Sequence, residues 1–149
     1  MEEAQYTCED DPKLPGWKRW TLNDATRFNA FLGPLSTRLI DDRRALVRMT
    51  PEQRHSNLLD TMHGGALLGF MDVALFLAAR CFGVRHAGGA VTLDLSAQFI
   101  GTSAIGGPIL AEIELLRETG RMLFMRGLVK QDDSVLASFA STVRKSTAK

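Results

Sequence analysis

The sequence predicts an α+β fold in which one long central helix is wrapped by a curved antiparallel β-sheet. Three observations carry that prediction. From Ala66 to Ala79 every residue is apolar or glycine except Asp72, the pattern of a helix covered on nearly all sides. After that run, four segments alternate apolar and polar residues between short turns, as half-buried antiparallel strands do. A shorter alternating pair precedes it, so the order is strand pair, helix, four strands. A curled sheet is what can cover the helix's apolar circumference.

Composition narrows the class. The chain has 149 residues, 45% of them hydrophobic and 23% charged, enough for a single domain with one core. Its 18 Lys+Arg against 17 Asp+Glu leave a net charge of +1, so no global field attracts nucleic acid or an anionic membrane. An ordinary apolar fraction with so small a net charge also argues against intrinsic disorder. Cys8 and Cys81 cannot make a disulfide framework, and no Cys/His spacing marks a zinc site. The acidic start, Met1 to Gln5, has no apolar signal segment, so the expectation is a reduced, cytoplasmic domain.

Each element follows from local pattern. Residues 1–20 read as an N-terminal extension ahead of a single domain at 21–149. The extension holds the acidic Glu9-Asp10-Asp11, and Trp17 and Trp20 are expected to pack it onto the body. A basic aromatic run can also stack on a nucleobase, but no wider basic patch accompanies it. From Thr21 the pattern turns helical, with Leu22, Phe28, Phe31 and Leu32 near one face and Gly33-Pro34 as the stop. Leu35, Thr37 and Leu39 then lead into the polar turn Asp41-Asp42-Arg43, and Ala45, Val47 and Met49 return. Beyond the central run, Val91, Leu93, Leu95, Ala97 and Phe99 share one face and Thr92, Asp94, Ser96 and Gln98 the other. Ile109, Ala111, Ile113 and Leu115 repeat the period, and turns at 118–120 and 131–134 separate the last strands. The apolar run is short for a bilayer, and an ionisable group at its centre opposes spanning. This order of elements is that of the hotdog fold.

The chemistry concentrates around the start of the helix. Asp72 sits among Phe70, Met71, Val73 and Phe76, where losing hydration costs several kcal/mol (order of magnitude) unless the carboxylate is paired or protonated. It is either a structural Asp bonded to its surroundings or a base or nucleophile activated by them. Directly ahead of the run stands His63-Gly64-Gly65. Glycines at a helix N-terminus let backbone N–H groups approach a ligand where the helix dipole adds positive charge, which suits an oxyanion. They equally permit tight packing. Asn57 either donates a hydrogen bond to a carbonyl or water, or forms an Asx turn.

Taken together, Asn57, His63-Gly64-Gly65 and Asp72 resemble the Asn…His-Gly-Gly…Asp signature of hotdog-fold acyl-CoA thioesterases, nearest the phenylacetate-pathway (PaaI-like) branch. With the strand order, the resemblance covers roughly residues 28–145. It implies that the Gly64 amide is the oxyanion donor and that Asp72 activates water or attacks the thioester carbon. It also implies that Asn57 lies near the carbonyl or water and that His63 supports the loop. Thr92 stands where many relatives carry a Ser or Thr that holds the water, although it also reads as a plain strand residue. After Phe99 relatives often carry a proline, whereas this chain reads Ile100-Gly101-Thr102, which puts this loop's coenzyme A contacts in question.

The expected reaction is thioester plus water giving free acid and coenzyme A, with no metal or redox cofactor. Other readings are a non-catalytic acyl-CoA-binding hotdog protein, which gains nothing from a desolvated Asp72, and a hotdog dehydratase or hydratase, whose usual His pairing is not matched by His63. Gly64 and Asp72 lie eight residues apart, about 12 Å on one helix, too far for one carbonyl to meet both. A two-fold related copy removes the difficulty, and the resemblance implies a homodimer or a dimer-of-dimers tetramer. Leu67, Leu68, Met71 and Phe76 are candidate pocket walls. Arg117, Arg121, Arg144 and Lys145 are candidate phosphate contacts or solvated charges.

Overall fold

The structure is a computed structural model that describes residues 5–85 and 87–147. Its strands are β1 (Tyr6–Asp10), β2 (Lys18–Leu22), β3 (Leu35–Asp41), β4 (Arg44–Met49), β5 (Val91–Phe99), β6 (Ile109–Glu118), β7 (Met122–Gln131) and β8 (Ser134–Arg144). Its helices are α1 (Phe28–Phe31) and α2 (Gly64–Cys81), with short 3-10 turns at Gln53–His55 and Ala87–Gly89. All eight strands form one antiparallel sheet in the order β1-β2-β3-β4-β6-β7-β8-β5. The sheet curls around α2 as the hotdog fold requires.

The core lies between α2 and the inward sheet face. Phe70, Met71, Leu75 and Leu77 of the helix pack against a layer containing Val47, Ile113, Leu123 and Met125. The helix ends at a glycine because its last carbonyls need a left-handed residue beyond them. Gly83 has φ +73°, its N–H bonds to the Arg80 carbonyl, and the Val84 N–H bonds to that of Ala79, a Schellman cap. By length and composition α2 could cross a membrane, but most of its surface is buried against the sheet.

Two sequence expectations are corrected. Residues 6–22 form a hairpin whose second strand pairs with β3 (Lys18 with Thr37, Trp20 with Leu35), so the boundary expected at residue 20 falls inside β2. Residues 1–4 of the expected extension lie outside the described residues. Leu22 is in that hairpin, and the helix expected from Thr21 shrinks to the single turn of α1. Strand β5 pairs with β8 alone, at the sheet edge. The loop after it approaches β8 closely, since a Cβ on Gly101 would stand 2.8 Å from the Val135 carbonyl oxygen. As expected, α2 is covered on most sides but not all. Gly65, Leu68, Gly69, Asp72 and Phe76 are only partly buried or exposed, and their three- and four-residue spacing makes them one open stripe.

Candidate active site

The helix N-terminus is shaped by His63. It is the N-cap, with extended backbone, and its Nδ1 accepts the Gly65 N–H at 2.8 Å. A Cβ on Gly65 would stand 3.1 Å from that same nitrogen, so the ring can lie over the first turn because residue 65 has no side chain. The Gly64 N–H has no backbone or side-chain acceptor among the described residues, as expected for the first donor of a helix. The Phe99 ring lies alongside it, 3.7 Å from where a Gly64 Cβ would be. A free amide at the positive end of a long helix beside an apolar wall is suited to an oxyanion.

Asp72 lies two turns further along, on the open stripe. Thr92 Oγ1 donates to its Oδ1 at 2.6 Å. Strict alternation would turn Thr92 away from the helix, and a β-bulge reverses this. Thr92 pairs with Val143 and Asp94 with Thr142, so Leu93 is the extra residue. The bulge puts Thr92 on the inward face with Leu95, Ala97 and Phe99, and turns Val91, opposite Arg144, outward. The sequence reading that grouped Val91 and Leu93 with Leu95 is corrected accordingly.

Asn57 is engaged within its own loop. Its Oδ1 accepts the N–H groups of Leu59 at 2.9 Å and Thr61 at 3.2 Å, and its Nδ2 donates to Thr61 Oγ1 at 2.9 Å. That is an Asx turn extended by a third bond. Asn57 and His63 line one open groove with the exposed Leu58 and Leu59. The structure therefore makes two groups from the five candidates, Asn57 with His63-Gly64 and Asp72 with Thr92. Of the candidate phosphate contacts, Lys145 is paired with Glu118 at 2.7 Å, while Arg117, Arg121 and Arg144 are exposed.

His55 was missed by sequence reasoning. It is 1% exposed, its Nδ1 accepts the Glu52 N–H at 2.9 Å, and its Nε2 lies 2.6 Å from the Phe31 carbonyl oxygen. An accepting Nδ1 leaves Nε2 as the donor. The His55 carbonyl in turn accepts the His63 N–H at 2.7 Å. One ring thus ties α1 to the loop that carries the helix cap. In the sequence it stands in the polar run Glu52-Gln53-Arg54-His55-Ser56-Asn57, which looks like surface. The loop that lacks the expected proline is braced otherwise: Gln131 accepts from the Ala104 N–H at 2.7 Å and donates to the carbonyls of Ala104 and Gly107 at 3.0 Å. Among the described residues no group of three or more His, Cys, Asp or Glu is placed to hold a metal ion.

Residues 59–138, from the loop before α2 into β8, match the family model described as thioesterase superfamily. No curated protein matches the chain. Solved structures of similar fold include the PaaI protein of the E. coli phenylacetic acid degradation operon, 20% identical over 85% of this chain and 88% of that one, with a TM-score of 0.70. A hypothetical thioesterase with coenzyme A from Streptococcus pneumoniae is 15% identical over 77% and 88%, with a TM-score of 0.67. Zebrafish thioesterase superfamily member 2 is 18% identical over 83% and 89%, with a TM-score of 0.72. At these identities the solved structures show the fold alone.

Proposed function

The chain belongs to the thioesterase superfamily, and on that premise we propose that it hydrolyses an acyl-coenzyme A thioester to the free acid and coenzyme A. The observation that carries the proposal is the Thr92 hydroxyl held 2.6 Å from a partly buried Asp72. A bulge and a buried-helix carboxylate have been brought together on the one side of α2 that the sheet leaves open. A coenzyme A-bound neighbour of the same fold supports the substrate class.

In the proposed reaction Asp72 removes a proton from water, with Thr92 fixing the carboxylate, as the oxygen attacks the thioester carbon. The alternative role of Asp72 is direct attack, through an anhydride that water then opens. The Gly64 N–H receives the carbonyl oxygen as it gains charge. The carbon–sulfur bond breaks, and the coenzyme A thiolate leaves and takes a proton. Asn57 and His63 hold the loop that aims the amide. This chemistry needs no metal or redox cofactor.

Each site draws on two copies. Within one chain, eight residues of helix separate the amide from the carboxylate, about 12 Å, against a reacting distance of about 3–3.5 Å. The open edge at β5 supplies the means. Val91 is 43% and Leu93 51% exposed there, and an apolar unpaired edge is a surface proteins ordinarily cover. A second copy joined at β5 by a two-fold axis brings the Gly64 of one chain to the Asp72 of the other, and two such dimers can pair as a tetramer. The test is thiol release from a panel of short-chain, long-chain and aromatic acyl-CoAs. Release that Asp72→Asn abolishes supports the reading, and no release from any member refutes it.

A further inference from the structure

Phe28 occupies a position that folding alone does not explain. Its ring is 59% exposed, yet it lies directly on α2. A Cβ on Gly69 would stand 2.8 Å from Cζ and 3.0 Å from Cε1 of that ring, closer than side-chain carbons pack. The glycine is what lets the ring reach the helix backbone. Gly69 precedes Asp72 by three residues, and residues so spaced are neighbours on a helix face, with Cβ atoms about 5–6 Å apart. The ring therefore stands one turn from the carboxylate, on the open stripe.

The ring is also held firmly. A one-turn helix has no stability of its own, and α1 buries none of its four residues. Two tethers from other parts of the chain and one local turn fix it. Asn29 Nδ2 donates to the Tyr6 hydroxyl at 2.7 Å. The Phe31 carbonyl meets His55 Nε2 at 2.6 Å, and the His55 ring packs edge-on against Phe31 with centroids 5.0 Å apart. Ahead of the helix, Asp24 accepts from the Thr26 N–H and the Arg27 Nε, both at 2.9 Å. The N-terminal hairpin, the loop at His55 and the turn at Asp24 together hold the helical turn that carries Phe28 over Gly69.

We propose that Phe28 is the specificity-determining wall of the acyl pocket, admitting compact, uncharged apolar acyl groups and excluding long fatty chains. This rests on the thioesterase reading above and goes beyond it by naming the class of acyl group. With Leu68 and Phe76 flanking Asp72 on the stripe, the surface offered to the acyl group is apolar, and the ring closes its N-terminal end. Gly69 sets how close the ring sits to the helix, so it sets the depth of the pocket.

The test compares kcat/KM for butanoyl-, octanoyl- and palmitoyl-CoA in wild type, Phe28→Ala, Gly69→Ala and the double variant. Phe28→Ala removes the wall, and the palmitoyl-to-butanoyl ratio should rise at least about tenfold, the scale of apolar-pocket discrimination. Gly69→Ala, a helix-favouring change, forces the ring outward and should lower the octanoyl-to-butanoyl ratio. The double variant should follow Phe28→Ala, because the added methyl then has no ring to displace. An unchanged ratio in Phe28→Ala with wild-type circular dichroism and melting overturns the proposal. So does a shift in the same direction for both single variants. If Phe28→Ala does not fold, Phe28→Leu and Gly69→Ala decide between the same outcomes. Wild-type protein that cleaves none of the three, nor any aromatic acyl-CoA, removes the thioesterase reading and this inference with it. An active wild type with an unmoved profile removes the inference alone.

Discussion

Asp72→Asn and Asn57→Ala chains, each a poor catalyst alone, should restore one another when mixed. The structure sets the arithmetic. Thr92 bonds Asp72 within one chain, so under the two-chain proposal those two residues supply one half-site. Asn57, His63 and Gly64 would supply the other, with Gly64 about 12 Å from Asp72 along the helix. Random pairing of two variants makes about half of the dimers mixed, and each mixed dimer of this pair holds one intact site and one doubly defective site. Activity should recover to ~25% of wild type per total site if the sites act independently. Asp72→Asn mixed with Thr92→Val is the internal control. Both lesions lie in the same half-site, so no mixed dimer is intact and activity stays at the mean of the parents. Thr92→Val alone loses a hydrogen bond to a carboxylate, about 1.5–3 kcal/mol, or about 10- to 100-fold in rate if the bond is fully used. That is low enough for recovery to be visible above it. The assay is thiol release after co-refolding, with exchange measured by native mass. Recovery no greater than the parental mean, with exchange complete, refutes the two-chain site. Recovery in the control pair refutes the assignment of Thr92 to the half-site of Asp72.

Asp72→Asn should lower kcat by ~100-fold or more while leaving the melting temperature equal or higher, since the amide is nearly isosteric and removes a partly desolvated charge; full turnover would reject the carboxylate's role. His63→Ala removes the acceptor for the Gly65 N–H and should cost about 1 kcal/mol of stability, whereas His63→Asn, an effective N-cap, should recover most of it; denaturant titration measures both. Asp24 is held down to about 2, first by the Thr26 hydroxyl, then by the Thr26 N–H and Arg27. A depressed carboxylate stabilises the folded state above the ordinary Asp value of 3.8 and loses that contribution as pH falls towards about 2. The melting-temperature gap between wild type and Asp24→Asn should therefore be widest near neutrality and close across that acid window, and a constant gap would show that the carboxylate's charge is not what holds α1.

Features that rest on local pattern were legible in the chain alone. The apolar run at 66–79 declared α2, because a 3.6-residue period without polar relief has to be covered. The alternation at 109–115 and the polar turn at 41–43 declared strands, because a pleated strand shows its two faces in every other residue. His63-Gly64-Gly65 and Asp72 were legible for the same reason: a cap is local to a helix start, and one carboxylate in an apolar run stands out without any fold in hand. Tertiary structure decided the rest. Trp20 packs its segment onto the body as its size predicts, against the core and with its indole N–H donated to Thr37 at 2.9 Å, but that its strand joins β3 leaves no mark within residues 1–20. Leu22 followed a helical spacing into a strand because sheet pairing outweighed a weak local preference. His55 gave no signal, since its three bonds come from Glu52, Phe31 and His63, two of them residues far enough away to be set only by folding. Thr92 is the sharpest case. Read by alternation it faces away from the helix, and the single extra residue of the bulge turns its hydroxyl onto Asp72. A bulge depends on which residues of β8 oppose β5, and that register belongs to the assembled sheet, not to either strand alone.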